Sequence, residues 1–200
     1  LTRDLDTDNA IGLDMSLPKL YVDSNGNTPD FPKPYRTMES KIKREQRKLS
    51  RKEKGSKNYE KQRIKLAKQH AKAKHLRNDV LHKLSCALTD RYDLIAIEDL
   101  DMSAIKRSLR FGKSASDNGW GMFTDMLSYK AKRKGKQLVK VDRWFPSSKT
   151  CSHCGHIHKE LRLSDRIYLC PKCGHTMDRD QQAAQNIVKE AKRMLLNAAF

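Results

Sequence analysis

Two hundred residues carry 42 Lys+Arg against 24 Asp+Glu, for a net charge of +18 and a pI near 9.8. A surplus of that size favours polyanionic partners. No stretch approaches eighteen apolar residues, which excludes a membrane-spanning helix, and the length suffices for one α/β domain with a small appendage.

Ala10-Ile-Gly-Leu-Asp14-Met15 is a short apolar run that takes in an acid, and Leu20-Tyr-Val-Asp23 reads as a strand entering the turn at Asn25-Gly26. The segment from Lys41 to Lys83 holds 17 Lys+Arg against 4 Asp+Glu and reads as two helices broken at Lys54-Gly-Ser-Lys57. Its expected apolar stripe is thin: Ile42 and Leu49, then Ile64, Ala67, Ala71 and Val80. One sign of charge on so polar a hairpin predicts contact with phosphates, the alternative being a solvated arm. Cys86, spaced with Leu81, Leu84 and Leu88, is expected in the core. Leu94-Ile-Ala-Ile-Glu98 is a buried-strand pattern that ends in a carboxylate. Ser103 to Gly119, with Lys106, Arg107, Arg110 and Lys113 among small residues, predicts a loop that works as a lid over bound nucleic acid or is merely an exposed loop. A helix is expected over Gly121–Arg133, a strand over Gln137–Val141, and an amphipathic helix from Gln181 carrying Ala184, Ile187, Val188, Ala191 and Leu195.

Cys151-Ser-His-Cys154 and Cys170-Pro-Lys-Cys173 are two C-x2-C knuckles, each followed by a glycine that eases the turn. Zn²⁺ takes four thiolates tetrahedrally, so Cys151, Cys154, Cys170 and Cys173 are the expected ligands of a structural ion. Two disulfides or four free thiols are the alternative. His153, His156, His158 and His175 stand close enough in sequence to substitute for a cysteine.

Asp14, Glu98 and Asp180 each have an ordinary explanation, as a turn, an exposed strand end and a helix cap. Together they form the set that phosphoryl transfer needs: three carboxylates from separate elements, able to hold two divalent cations at one sheet edge. Crowding of the three should raise an acid's pKa.

Gly12-Leu-Asp14, Ile97-Glu-Asp-Leu100, Ser148-Lys-Thr-Cys-Ser-His-Cys-Gly155, Cys170-Pro-Lys-Cys-Gly174 and Asp178-Arg-Asp-Gln-Gln-Ala-Ala-Gln-Asn-Ile187 resemble, in family order, the transposon-encoded TnpB (OrfB-type) family, relatives of the type V CRISPR effectors. The resemblance implies an α/β fold of ribonuclease-H-like (RuvC) type with an inserted basic helical hairpin and a C-terminal zinc ribbon. Residues 1–146 would be the nuclease core, with the hairpin at 37–89; 147–177 the ribbon; 178–200 the last nuclease motif and helix. It implies RNA-guided cleavage of DNA, with guide RNA and target DNA as partners, in a prokaryotic, nucleoid-associated cytoplasmic setting. Self-association stays open. Asp14, Glu98 and Asp180, rather than Asp178, would bind Mg²⁺ or Mn²⁺ and leave 5′-phosphate and 3′-hydroxyl ends. Ser16 and Gln182 depart from the family's usual glycine and asparagine. The chain opens at Leu1, and reads as a piece lacking the N-terminal part that grips guide RNA. Two other readings compete: an RNA-guided DNA-binding regulator that does not cleave, and a zinc-ribbon nucleic-acid-binding protein without chemistry.

Overall fold

The computed structural model describes residues 8–108, 119–162 and 164–198. Its strands are β1 (Ala10–Ser16), β2 (Leu20–Asp23), β3 (Leu94–Glu98), β4 (Gln137–Val141), β5 (Ile167–Leu169) and β6 (Thr176–Asp178). Its helices are α1 (Pro34–Ser50), α2 (Lys57–Arg91), α3 (Met102–Ser108), α4 (Trp120–Arg133) and α5 (Arg179–Ala198). The main sheet has the order β2-β1-β3-β4. β1 and β2 form an antiparallel hairpin, and β3 joins β1, and β4 joins β3, in parallel. Parallel pairing needs a crossover, and the basic hairpin α1–α2 is the one between β2 and β3.

Strand alternation sorts the two faces of the sheet. Ile11, Leu13, Ile95 and Ile97 pack on one side with Leu81 and Leu88 of α2 and with Trp120, Phe123 and Leu127 of α4. The other side carries Ala96 and Val141, which meet Ile187 and Ala191 of α5. Residues facing α5 are small, and Gly12 is the extreme case. A Cβ built on it would lie 2.0 Å from the Ala184 carbonyl oxygen, so helix and strand are in backbone contact there. The result is three layers: α2 and α4, the sheet, and α5.

Two lysines of the α4 region fasten it to α2. Lys130, buried, donates from Nζ to the His82 carbonyl and to Ser85 Oγ, each at 2.7 Å. Lys134 reaches Thr89 Oγ1 at 2.8 Å and Asp90 at 2.5 Å.

The hairpin departs from the expected stripe. Ile64, Ala67 and Ala71 are exposed. Ile42 of the expected stripe is in the contact, joined by Met38 of α1 and by Leu66 and Ala73 of α2. Buried Glu45 completes it, its carboxylate accepting from Gln62 Nε2 at 2.8 Å. A polar pair lies outside any apolar count, and so the register of the two helices escaped the pattern. Cys86 corrects a second expectation. It points outward, while Leu81, Ser85 and Leu88 face in. Ser103 to Ser108 lies within α3 rather than in a loop. Arg110 and Lys113, the rest of the expected lid, lie outside the described residues.

Candidate active site and metal centre

The alternation that makes the core also builds the site. Gly12 and Ala96 are register partners on the α5 side. Two residues further along each strand, on the same side, stand Asp14 and Glu98. α5 begins over this end of the sheet, which brings Asp180 to the same cleft. The cleft has a volume of about 820 Å³, and its wall includes Asp14, Glu98, Asp178 and Asp180 together with Lys19, Arg143, Lys149, Arg166 and Arg179. It opens at the carboxyl end of parallel strands, where α/β sheets ordinarily bind ligands.

The electrostatics are those of crowded acids. Burial, then the charges of Glu98 and Asp180, push the Asp14 carboxyl well above its usual range, with Arg179 opposing. Burial also raises Glu98, while the hydroxyl of Ser147 donates to its Oε1 and works the other way. Asp180 lies 3.3 Å from the Arg179 guanidinium.

Asp178 and Asp180 have different roles. Asp178 Oδ1 accepts from the backbone N–H groups of Asp180 and Gln181, both at 3.0 Å, and so caps α5. The capping explanation considered for Asp180 therefore belongs to Asp178. Asp180, in the first turn, lines the cleft.

The four cysteines form the second centre. Their Sγ atoms all lie within 4.8 Å of one another, the one group of metal-ligating side chains so close among the described residues. Cys151 to Cys173 is 3.7 Å and Cys154 to Cys170 is 3.6 Å. A tetrahedron with Zn–S bonds of ≈ 2.3 Å has edges of about 3.8 Å, so the thiols present fit that ion. Sulfurs 3.6–3.7 Å apart are well beyond an S–S bond of about 2.05 Å, and no disulfide joins the four. The knuckles repeat one turn: Cys151 N–H donates to the His156 carbonyl and Gly155 N–H to that of Cys151, while Cys170 and Gly174 do the same with His175 and Cys170. Gly155 and Gly174 adopt φ of 72° and 71°. No histidine joins the group; His153 and His175 stack on each other instead.

Polar bonds tie the two centres together, and the sequence did not reveal them. Asn186 Nδ2 donates to the carbonyls of Ser147 (2.7 Å) and Thr150 (2.6 Å). Gln182, fully buried, donates to the Thr150 carbonyl at 3.0 Å and accepts from Ser152 Oγ at 3.3 Å. Lys189 Nζ reaches the Ser152 carbonyl. One face of α5 thus grips the segment that carries both Ser147, the hydrogen-bond donor to Glu98, and the first knuckle. The one signal available in advance was that Gln182 and Asn186 sit four residues apart on a helix.

Comparison with known proteins places this arrangement. A family model described as "Probable transposase" matches residues 2–109, and another, "Cas12f1-like, TNB domain", matches residues 120–187. A protein of Streptomyces pristinaespiralis named "Putative RNA-guided DNA endonuclease" is 39% identical over 182 residues, which cover 91% of this chain and 45% of the relative. "Putative RNA-guided DNA endonuclease InsQ" of Escherichia coli (strain K12) is 32% identical over 200 residues, covering 92% and 50%. The chain thus spans about half the length of these curated relatives. The cryo-EM structure of a Cas12f1-sgRNA-target DNA complex superposes with a TM-score of 0.62 at 18% identity, covering 89% of this chain and 49% of that one. That likeness concerns the fold alone. With the transposase model matching more than half of its residues, and a relative 39% identical over 91% of its length, the chain belongs to the TnpB (OrfB-type) family.

Proposed function

We propose that this chain is the nuclease portion of an RNA-guided DNA endonuclease, with a ribonuclease-H-like (RuvC) core at 1–146 and 178–200, a basic hairpin insert and a zinc ribbon at 147–177. The observation that carries the reading is the convergence of Asp14, Glu98 and Asp180 in one cleft, in which burial and mutual repulsion push the Asp14 carboxyl well above its usual range. Carboxylates arranged so are costly without a cation. They suit Mg²⁺ or Mn²⁺, which prefer oxygen ligands. When bound, two such ions activate water and stabilise the leaving oxygen of a phosphodiester.

The protein's own residues prepare that chemistry. Asp14 and Glu98 are set level by strand register, and Ser147 orients Glu98. Asp178 fixes the helix end that presents Asp180. Five cationic side chains around four carboxylates receive a phosphate backbone. Cys151, Cys154, Cys170 and Cys173 would hold a structural Zn²⁺ that keeps the ribbon, and through it Ser147, in place. In this scheme guide RNA reads the target DNA by pairing, while the protein follows backbone shape.

The experiment is cleavage of a labelled target by the intact protein with its guide. Asp14→Ala, Glu98→Ala and Asp180→Ala should each abolish cleavage and leave guide and target binding nearly intact, Asp178→Ala being milder. Ca²⁺ should support binding with little cleavage. Full activity in Asp14→Ala refutes the mechanism.

A further inference from the structure

Trp144 is the most exposed large apolar side chain among the described residues. The protein has two tryptophans; Trp120 is 2% exposed in the core, whereas Trp144 is 85% exposed. Its neighbours are anchored. Val141 is fully buried, and Phe145 packs against the cluster of Ala96, Val141 and Ile187. The backbone between them is a closed turn: the Trp144 N–H donates to Asp142 Oδ1 at 2.7 Å, and the Phe145 N–H to the Asp142 carbonyl at 3.0 Å. The indole is therefore held out by a fixed turn rather than left on a loose end. It stands on the wall of the cleft that contains Asp14, Glu98 and Asp180. Arg143 beside it is kept in place by Asp99, 3.7 Å away, and faces the same cleft.

An aromatic plane beside a guanidinium, on the wall of a cleft that also holds acids and cations, is the pairing that single-strand binding uses. The base stacks on the ring, and the cation takes the phosphate. We propose that Trp144 is a stacking platform for one unpaired nucleobase of the DNA strand that enters the cleft, with Arg143 on the adjoining phosphate. The inference rests on the nuclease reading above. It adds a residue that fixes which phosphate lies against the acids: a base parked on Trp144 sets the strand's register, where phosphate contacts alone would let it slide. Stacking is tolerant of sequence, so the platform selects an unpaired base rather than a particular one.

Two measurements on the intact protein with Ca²⁺ in place of Mg²⁺ test this. Tryptophan emission is titrated with single-stranded oligodeoxythymidylate and with an abasic oligonucleotide of equal phosphate count. The thymidylate should quench the Trp144 emission and leave the buried Trp120 contribution, whereas the abasic strand should not quench. Anisotropy of a labelled oligodeoxythymidylate should show Trp144→Leu binding roughly ten-fold more weakly, a loss of about 1.4 kcal/mol, with Trp144→Phe recovering most of it. Both variants should keep the parent melting temperature, because the side chain is exposed. Equal quenching by the abasic strand, no quenching by thymidylate, or unchanged affinity in Trp144→Leu each overturns the proposal. Quenching without Mg²⁺-dependent cleavage would sink the nuclease reading and leave the platform standing. Cleavage without quenching would do the reverse.

Discussion

Gly12→Ala asks how closely α5 must lie on β1. The added Cβ would sit 2.0 Å from the Ala184 carbonyl oxygen and 3.1 Å from Val188 Cβ, where ordinary contact begins at 3.4 Å. Relief demands a separation of about 1.4 Å between strand and helix at that point. The obstacle is backbone, so trimming Val188 to Ala should not rescue the variant. Overpacking of this kind costs roughly 1–3 kcal/mol, or a fall in Tm of roughly 2–12 °C for a chain of this size. The effect on cleavage should be larger than the effect on folding. Asp14 is two residues from Gly12, and Asp180 is one helical turn from Ala184, so the separation is passed directly to the acids. A misplacement of about 1 Å can cost on the order of 10²-fold in rate. The assay is single-turnover target cleavage well below the variant's Tm, paired with thermal unfolding without metal. A Gly12→Ala protein with the parent's Tm and a cleavage rate within about two-fold would refute the argument.

Zinc content tests the thiols. Cys154→Ser should lower the zinc content of the purified protein and loosen the ribbon, and elemental analysis showing no zinc in the parent would sink the assignment. Reversal of Arg47, Lys48, Arg51 and Lys52 to Glu should weaken binding to unrelated nucleic-acid sequences alike and flatten its salt dependence; unchanged binding would make the hairpin a solvated arm. Glu45 supplies a pH test. Its hydrogen bonds from Gln62 and Lys48 hold its carboxyl down at about 2 from an ordinary 4.5. A depressed folded value means stability present above the ordinary pKa and lost as pH falls toward the folded one. Helicity of the parent should therefore fall between about pH 4.5 and 2, and Gln62→Leu should narrow that loss, as followed by circular dichroism.

Much of this molecule was legible from local pattern. Strands β1 to β4 are short apolar runs, and the knuckles announce themselves by spacing. Asp14 and Glu98 stood out because a carboxylate in such a run is chemically odd. What stayed hidden depends on polar groups that meet only after folding. Glu45 and Gln62 look like two more surface residues until α1 and α2 lie side by side. Ser147, Gln182 and Asn186 are separated from the carbonyls and carboxylate they serve by up to 49 residues, and polar side chains carry no periodicity from which to infer a partner. Cys86 misled for another reason: Leu81, Leu84 and Leu88 do face the core, but the inward position between them falls to Ser85, which accepts from Lys130, and the next residue turns out.

The order of strands has a consequence for how the protein is born. β1 pairs on one side with β2, a few residues away, but on the other with β3, Ala10 lying opposite Leu94. At a synthesis rate of about 5–20 residues per second, the first strand waits several seconds for that neighbour, while the local hairpin α1–α2 closes on itself. The acids are further apart still, since Asp180 follows Asp14 by 166 positions. The cleft cannot assemble until α5 has left the ribosome and settled against Gly12. A nascent chain therefore holds Asp14 and Glu98 apart from their third partner until the residues of α5 have been made.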